Sequence, residues 1–320
     1  MVDTHVVLEK IRAEVATVVV GQAKLIDRLL LAMICNGHVL IEGIPGLAKT
    51  LTVNSIARSL DTKFSRIQFT PDLLPGDLLG TQIYNPQTGE FKTQKGPLFA
   101  NVVLADEINR SPAKVQSALL EAMQEKQITL GGTTYKLDDP FLVLATQNPI
   151  ENEGTYPLPE AQVDRFMFKV KVDYPTLEEE QKVLQLMSNP EPPAPASQVA
   201  KIEDVLALRA EIKNVYMDLK IEQYILQIID ATRSPKKYGL DLEPLIRFGA
   251  SPRATIFLAM GAKGCALMAG RDFVTPADVK EIAMDVLRHR VAITYRAEMQ
   301  GKNSEYVVQN ILDNIAIPTV

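Results

Sequence analysis

The chain has few of the residues that build zinc sites and disulfide frameworks. Among its 320 residues are only two cysteines and three histidines. Cys35 and Cys265 each lie in an apolar, helix-like stretch, which is the usual setting of buried, unreactive thiols. Because the histidines are scattered along the chain, the sequence excludes a Cys/His zinc cluster, and it gives no indication of a disulfide scaffold.

Long hydrophobic runs and a strong excess of one charge are also missing. The longest apolar run, near Leu29–Ile34, is far too short to span a bilayer, and the N-terminal stretch lacks the pattern of a signal peptide. The net charge is −5, from 34 basic and 39 acidic residues. This balance gives no bulk electrostatic reason to bind nucleic acid or an anionic membrane. We therefore expect a cytoplasmic protein without a membrane span, and nucleic acid is not an expected partner.

The first half of the chain alternates short apolar runs with helix-like segments. The runs cover residues 38–43, 64–69, 101–107, 141–148 and 166–172. Such runs are typical of a buried, mostly parallel sheet in an α/β fold. A proline-dense stretch, SNPEPPAPAS, reads as a linker, and helix-like segments follow it. The sequence therefore predicts an α/β core over 1–187, a linker over 188–200 and a helical domain over 201–320.

The stretch LIEGIPGLAKT is close to the phosphate-binding pattern G-x-x-x-x-G-K-[ST], but Ala48 replaces the second glycine. An apolar strand precedes it and a helix follows, which is the context that makes a phosphate loop credible. Lys49 would reach the β- and γ-phosphates, and the Thr50 hydroxyl would bind Mg²⁺. If the backbone at Ala48 is left-handed, alanine costs about 1 kcal/mol relative to glycine. The predicted nucleotide contacts in this loop are Gly43, Ile44, Pro45, Gly46, Leu47, Ala48, Lys49, Thr50 and Leu51.

Two further apolar runs end in polar side chains. In VVLADEINR an apolar strand ends at Asp106, which can hold Mg²⁺ through water, and Glu107, which can act as general base on the attacking water. Alone, these acids could simply end a strand at a solvated turn, but the phosphate loop about sixty residues earlier favours catalysis. In FLVLATQNPIE another apolar strand leads to Asn148, which can orient water if its strand lies beside that of Asp106. The alternative for Asn148 is a capping or turn role.

A set of motifs in a fixed order carries a family resemblance. The motifs are GIPGLAKT, FTPDLLPGDLLG, LADEINR, ATQNP with EGTYPLPEAQVDRF, and GASPRA. The set closely resembles the MoxR family of AAA+ ATPases, from about Val19 to the end of the chain. This family commonly has alanine before the lysine, so Ala48 matches it. The resemblance implies a P-loop NTPase fold: an αβα core with a five-stranded parallel sheet, an all-helical lid, and nucleotide between them and between neighbouring subunits.

The resemblance also implies a role for each matching residue. It assigns Walker A to Lys49 and Thr50, Walker B to Asp106 and Glu107, sensor 1 to Asn148, the arginine finger to Arg165, sensor 2 to Arg253, and an adenine-pocket segment to 18–22, with Val20 and Gly21 as contacts. An arginine from a neighbouring subunit stabilises the charge that develops on the transferred phosphoryl group. The alternative for either arginine is an ordinary surface salt bridge. Arg110 is a further candidate for a contact across the subunit boundary.

Two segments look like additions to the core. Residues 70–98 resemble the helix-2 insert of this clade, and their NPQTGEF centre suggests a small hairpin. Residues 127–140 read as the hairpin before sensor 1. Both are candidate contacts for a substrate or partner and candidate motion levers. The alternative is that they are hairpins without a function.

The leading functional hypothesis follows from the resemblance. It implies an ATPase that uses ATP and Mg²⁺, assembles into a ring, expected to be a hexamer, and remodels or matures protein complexes, with von Willebrand factor A domain proteins as expected partners. One alternative is the motor subunit of a metal-chelatase-type complex, against which Ala48 and FTPDLLPGDLLG argue. Another is a nucleotide-sensing scaffold with little turnover, against which Glu107, Asn148 and Arg165 argue. The acidic balance makes a DNA-translocating relative the weakest alternative.

Overall fold

A computed structural model describes residues 4–44, 46–148, 154–188 and 194–317 of the chain. The helices are α1 Thr4–Ala16, α2 Ala23–Ile34, α3 Lys49–Ser59, α4 Pro75–Leu79, α5 Ala113–Glu125, α6 Glu160–Val163, α7 Leu177–Met187, α8 Ile202–Ile212, α9 Leu219–Arg233, α10 Pro252–Met268, α11 Pro276–Leu287, α12 Tyr295–Met299 and α13 Ser304–Asn314. The strands are β1 Val39–Gly43, β2 Phe64–Gln68, β3 Gly80–Asn85, β4 Glu90–Lys95, β5 Val102–Asp106, β6 Gln127–Leu130, β7 Thr133–Lys136, β8 Leu142–Gln147, β9 Phe168–Val172, β10 Ile246–Phe248 and β11 Ala292–Ile293. No helix in these ranges is both long and apolar enough to cross a membrane.

The central sheet has five parallel strands in the order β2-β5-β8-β1-β9. Each strand lies within one of the five apolar runs, so the predicted parallel α/β core is confirmed. Because β8 lies between β5 and β1, the carboxyl ends of these three strands meet at one edge of the sheet. In open α/β sheets, ligands bind in the crevice outside the carboxyl ends of the strands, which is this edge.

Helices cover both faces of the sheet. Val39 and Ile41 of β1 belong to an apolar cluster that includes residues of α1, α2 and α3. Leu40, between them, belongs to a second cluster, which includes residues of α5. Successive side chains of a strand point to opposite faces, so these two clusters are the two sides of an αβα sandwich.

From α8 onward, where the sequence predicts the lid, the chain is mostly helical, and the structure adds one short antiparallel pair, β10 and β11. The apolar cluster on the α2 side of the sheet continues into α9, α10 and α11 without a break. At the contact of α10 with α2, a Cβ added to Gly264 would lie 2.4 Å from Leu31 Cδ1 and 2.8 Å from Cys35 Sγ. A side chain at this position would press on both, so glycine allows close packing of α10 on α2.

A buried ion cluster joins α2 to α11. The Asp285 side chain is fully buried and lies between Arg28 Nε, at 2.7 Å, and Arg288 Nη2, at 3.0 Å. The Lys24 ammonium lies 3.5 Å from the same carboxylate but is mostly exposed. Burial lowers the pKa of Arg28, but the adjacent carboxylates outweigh this and raise it overall. The cluster therefore keeps its charges inside the contact between core and lid.

His38 lies buried just before β1. Its Nδ1 accepts a hydrogen bond from the Val143 backbone N–H (3.0 Å), so Nε2 carries the proton and faces the Met123 carbonyl (3.2 Å). Burial lowers the pKa of His38 to about 4. The neutral ring thus ties β1 to β8 and to α5.

The two segments that the sequence marks as additions each contain a hairpin. β3 pairs with β4 after the short helix α4, and β6 pairs with β7. The hairpins lie side by side, and Tyr135 Oη donates to Thr93 Oγ1 at 3.4 Å. A Cβ on Gly131 would overlap the end of the Gln82 side chain at 2.0 Å, so this side chain would have to move to accommodate it.

Candidate functional site

A cavity of about 460 Å³ lies where β1, β5 and β8 end and α3 begins. Gly43 and the loop 46–51 form one wall, and Asp106, Glu107 and Asn148 form the other. The structure thus brings together most of the predicted phosphate, metal and water-orienting residues. The described residues that line this cavity all belong to the α/β core, although the resemblance implied a site between core and lid.

The loop before α3 has a backbone that suits phosphate binding. Gly46 has φ +89°, and Ala48, the residue before α3, has φ 52° and ψ 20°, which is left-handed. In this left-handed conformation, alanine at position 48 costs about 1 kcal/mol relative to glycine. The first N–H groups of α3 have no acceptor within the helix, and the helix dipole favours an anion there.

Lys49 extends from the start of α3 into the same space. Its Nζ donates a hydrogen bond to the Gly43 carbonyl. Burial lowers the pKa of Lys49, and the nearby charges of Asp106 and Glu107 partly offset this effect. An anion in the cavity would therefore meet a partly desolvated ammonium group, whose attraction is stronger than that of a fully hydrated one.

Asp106, the last residue of β5, and Glu107, which follows it, are held by Thr146, a residue that the sequence did not single out. Thr146 of β8, 2% exposed, donates from Oγ1 to Asp106 Oδ1 at 2.6 Å. The same Oγ1 accepts from the Glu107 backbone N–H at 2.8 Å. Glu107 itself has a left-handed backbone, with φ 57°. One hydroxyl on the neighbouring strand therefore fixes both acids, and the only signal in the sequence was a threonine near the end of an apolar run.

Two residues of β2 also contact the acids, and neither was predicted. Arg66 binds Asp106 Oδ2 through Nη2 at 2.7 Å, and Gln68 Nε2 donates to Glu107 Oε2 at 2.9 Å. Arg66 and Gln68 are two positions apart in FSRIQ, so they share one side of the strand. Arg110 also contacts Glu107 Oε2, at 3.1 Å within the same chain, and its role across a subunit boundary stays a prediction.

The side chains present fit Mg²⁺ and a phosphorylated ligand. Mg²⁺ prefers oxygen ligands and is usually held by one or two carboxylates, with water and substrate phosphates completing its shell. Asp106 supplies a carboxylate and Thr50 a hydroxyl, and both line the cavity together with Lys49. No group of three or more His, Cys, Asp or Glu side chains that could hold a metal occurs among the described residues.

Arg165 and Arg253 lie together, away from this cavity. They share a second cavity of about 200 Å³, which Lys126 also lines. Arg165 Nη1 donates to the Leu120 carbonyl at 2.9 Å, and Arg253 Nη1 lies 3.2 Å from Asp164 Oδ2. Neither arginine is among the described residues that line the Lys49 cavity of the same chain, and their roles as arginine finger and sensor 2 stay predictions.

The remaining predicted contacts are not brought to the cavity. Val20 and Gly21 do not line it, and Gly21, with φ +75°, lies against the Glu179 side chain at the start of α7. Ile44 packs against the apolar cluster. Pro45 lies outside the described residues. Adenine binding by Val20 and Gly21 stays a prediction.

Comparison with known proteins agrees with the fold. Residues 38–168 match the model of the ATPase family associated with various cellular activities (AAA), and residues 240–311 match the AAA lid domain. The chain is 48% identical to Chaperone MoxR1 of Mycobacterium tuberculosis over 98% of this chain and 83% of that one. It is 31% identical to Protein MoxR of Paracoccus denitrificans over 91% of this chain and 90% of that one. A crystal structure of a protein from Cytophaga hutchinsonii superposes with a TM-score of 0.93 at 51% identity, covering 99% of this chain and 96% of that one.

Proposed function

Since the chain belongs to the MoxR family of AAA+ ATPases, we propose that it binds ATP with Mg²⁺ in the cavity between β1, β5 and α3 and hydrolyses it there. One observation carries the proposal. Thr146 fixes Asp106 and Glu107 through a single hydroxyl, on the cavity wall opposite Lys49. A phosphate-binding cation, a metal ligand and a general base thus share one preorganised site.

Five side chains in the cavity have a proposed task. The N–H groups at the start of α3 and the Lys49 ammonium bind phosphate oxygens. Asp106 and Thr50 hold Mg²⁺, which when bound neutralises charge on the phosphates. Asn148 orients the attacking water, and Glu107 accepts its proton. Gln68 and Arg110 both donate to Oε2 of Glu107, so Oε1 is the oxygen proposed to accept the proton from water.

The test of hydrolysis is Glu107→Gln, which keeps the shape of the side chain and removes the base. We expect ATP affinity to stay within about tenfold of the wild type and turnover to fall by about 10²–10⁴-fold, the usual contribution of a general base. Glu121→Gln, an exposed position on α5, is the matched control and should keep full turnover. Unchanged turnover in Glu107→Gln would disprove the base assignment. Nucleotide binding without turnover in the wild type would instead favour the nucleotide-sensing scaffold.

We further propose that the chain assembles into a ring, with a hexamer as the expected size, and that Arg165 acts on the ATP of a neighbouring subunit. The support is the position of Arg165 and Arg253 outside the cavity of their own chain. Mixing Lys49→Ala subunits with Arg165→Ala subunits should restore part of the turnover that each lacks alone. No recovery at any mixing ratio, in assemblies whose size has been verified, would argue against this role.

The proposed output of hydrolysis is chaperone-like remodelling or maturation of protein complexes, with von Willebrand factor A domain proteins as candidate partners. Its support is the relative named as a chaperone. The β3-β4 hairpin is the proposed client contact, because Tyr84 and Phe91 are 52% and 66% exposed there. A pull-down with Glu107→Gln held on ATP tests the proposal, with Tyr84→Ser/Phe91→Ser in the same background as the control. A metal-chelatase partner in the captured set would favour the motor-subunit alternative, and equal capture by both proteins would rule out the hairpin contact.

A further inference from the structure

The carboxylate of Asp106 has a different donor on each oxygen. Thr146 Oγ1, on the neighbouring strand β8, donates to Oδ1. Oδ2 accepts from Arg66 Nη2 at 2.7 Å and from Arg66 Nε at 3.2 Å. The oxygen of Asp106 that remains for a metal is therefore the one that a guanidinium group holds at two points.

Arg66 is well placed to leave this contact. Its side chain is 49% exposed, and it lines the same cavity as Lys49. Among the described residues, Arg66 Nη2 has one further hydrogen bond, to Gln68 Oε1 at 3.2 Å. Because the guanidinium side of this ion pair is about half exposed, water can replace its contact with Asp106, and the pair holds Arg66 only weakly. Withdrawal of Arg66 would uncover Asp106 without disturbing the apolar core.

We propose that Arg66 is a positioning residue that takes the metal's place on Asp106 and has to leave it when Mg²⁺ is bound there. The inference rests on the proposed function, because it takes Asp106 as a metal ligand. Without metal, Arg66 neutralises a carboxylate that would otherwise repel the phosphates. With metal, the same positive charge opposes the cation. Arg66 thereby lets the cavity accept nucleotide without metal and raises the concentration of Mg²⁺ needed to complete the site.

This role makes a prediction that other roles of Arg66 do not. Removing the guanidinium should weaken metal-free nucleotide binding and at the same time strengthen Mg²⁺ binding to the nucleotide complex. A residue that only supports the fold would change both affinities in the same direction. A residue that binds phosphate directly would weaken nucleotide binding with and without Mg²⁺.

The experiment titrates a fluorescent ADP analogue, which cannot be hydrolysed as ATP is, into wild type, Arg66→Gln, Arg66→Lys and Arg58→Gln. Each protein is measured in excess EDTA, in saturating Mg²⁺, and in a Mg²⁺ titration at saturating analogue. Arg58 is an exposed arginine of α3 and controls for the loss of one positive charge. Arg66→Lys keeps the charge and loses the two-point contact. Thermal unfolding of each variant verifies that it is folded.

For Arg66→Gln we expect the Kd in EDTA to rise about two- to fivefold and the half-saturating Mg²⁺ concentration to fall by about the same factor. The two shifts should nearly cancel in saturating Mg²⁺. Arg66→Lys should lie between Arg66→Gln and the wild type, and Arg58→Gln should match the wild type. The inference would be overturned if both affinities changed in the same direction, if neither changed, or if Arg58→Gln showed the same shifts. The proposed function would still stand in each of these cases. Failure of the wild type to bind the analogue under any condition would overturn the proposed function itself.

Discussion

Replacement of Asp285 by alanine should destabilise the chain more than a single surface change can. The Asp285 side chain is fully buried between α2 and α11, and those of Arg28 and Arg288 are only 5% and 7% exposed. Asp285→Ala would leave the two guanidinium groups facing a small cavity, away from water. Removal of one partner from a buried ion pair costs about 3–5 kcal/mol, because the other charge stays buried without compensation.

The cluster itself indicates where in this range the loss should fall. Arg28 Nη2 also lies 2.8 Å from Glu281, and Arg288 Nε lies 3.2 Å from Glu305. These carboxylates would remain in Asp285→Ala and would compensate part of the charge. We therefore expect a loss near the lower limit, about 3 kcal/mol of unfolding free energy.

Urea unfolding followed by circular dichroism measures this loss as a lower midpoint with an unchanged slope. The matched control is Lys24→Ala, because its ammonium lies 3.5 Å from the same carboxylate but is 58% exposed. It should change the unfolding free energy by less than about 1 kcal/mol. A loss below about 1 kcal/mol for Asp285→Ala, or equal losses in the two variants, would refute the reasoning.

Three further predictions concern backbone strain, pH and close packing. Ala48→Gly should raise the unfolding free energy by about 0.5–1 kcal/mol, because Ala48 is left-handed and its exposed methyl contributes little packing. The affinity for ATP should change by less than about tenfold. A lower unfolding free energy in urea would show instead that the methyl packs. His38, whose pKa is lowered to about 4, makes its full contribution to stability above pH 6.5. As the pH falls from 6.5 to 4, the unfolding free energy should decrease by about 3 kcal/mol. His38→Asn should flatten this part of the profile of stability against pH, and an unchanged slope would contradict the assignment. Gly264→Ala should cost about 1–3 kcal/mol, since its Cβ would press on Leu31 and Cys35, and an unchanged urea midpoint would contradict this.

The parts of the fold that the sequence predicted are those that depend on neighbouring residues along the chain. Each of the five sheet strands is a short apolar run with its own boundaries, and such a signal is local. The phosphate loop is equally local, because strand, loop and helix follow one another without a gap. Lys49, Asp106 and Asn148 could be expected together because parallel strands end at one edge of a sheet.

The contacts that the sequence did not predict depend on which strands are neighbours. Arg66 and Gln68 reach the two acids only because β2 pairs with β5, and Thr146 does so because β8 lies on the other side of β5. Composition and periodicity carry no information about that order. The same limit applies to Arg253. Local signals predict a helix start next to it, but which cavity Arg253 lines depends on how α10 packs against the rest of the chain, including α2.

The apolar cluster that runs from α1 and α2 into α10 and α11 governs how the chain comes apart. Residues of core and lid share this interior, so neither part can lose its structure without exposing apolar surface on the other. We therefore expect core and lid to lose their structure together rather than one after the other. A cut within 188–200 would divide the chain between core and lid. Each part alone would expose the apolar surface that the other covers, and such a surface favours aggregation.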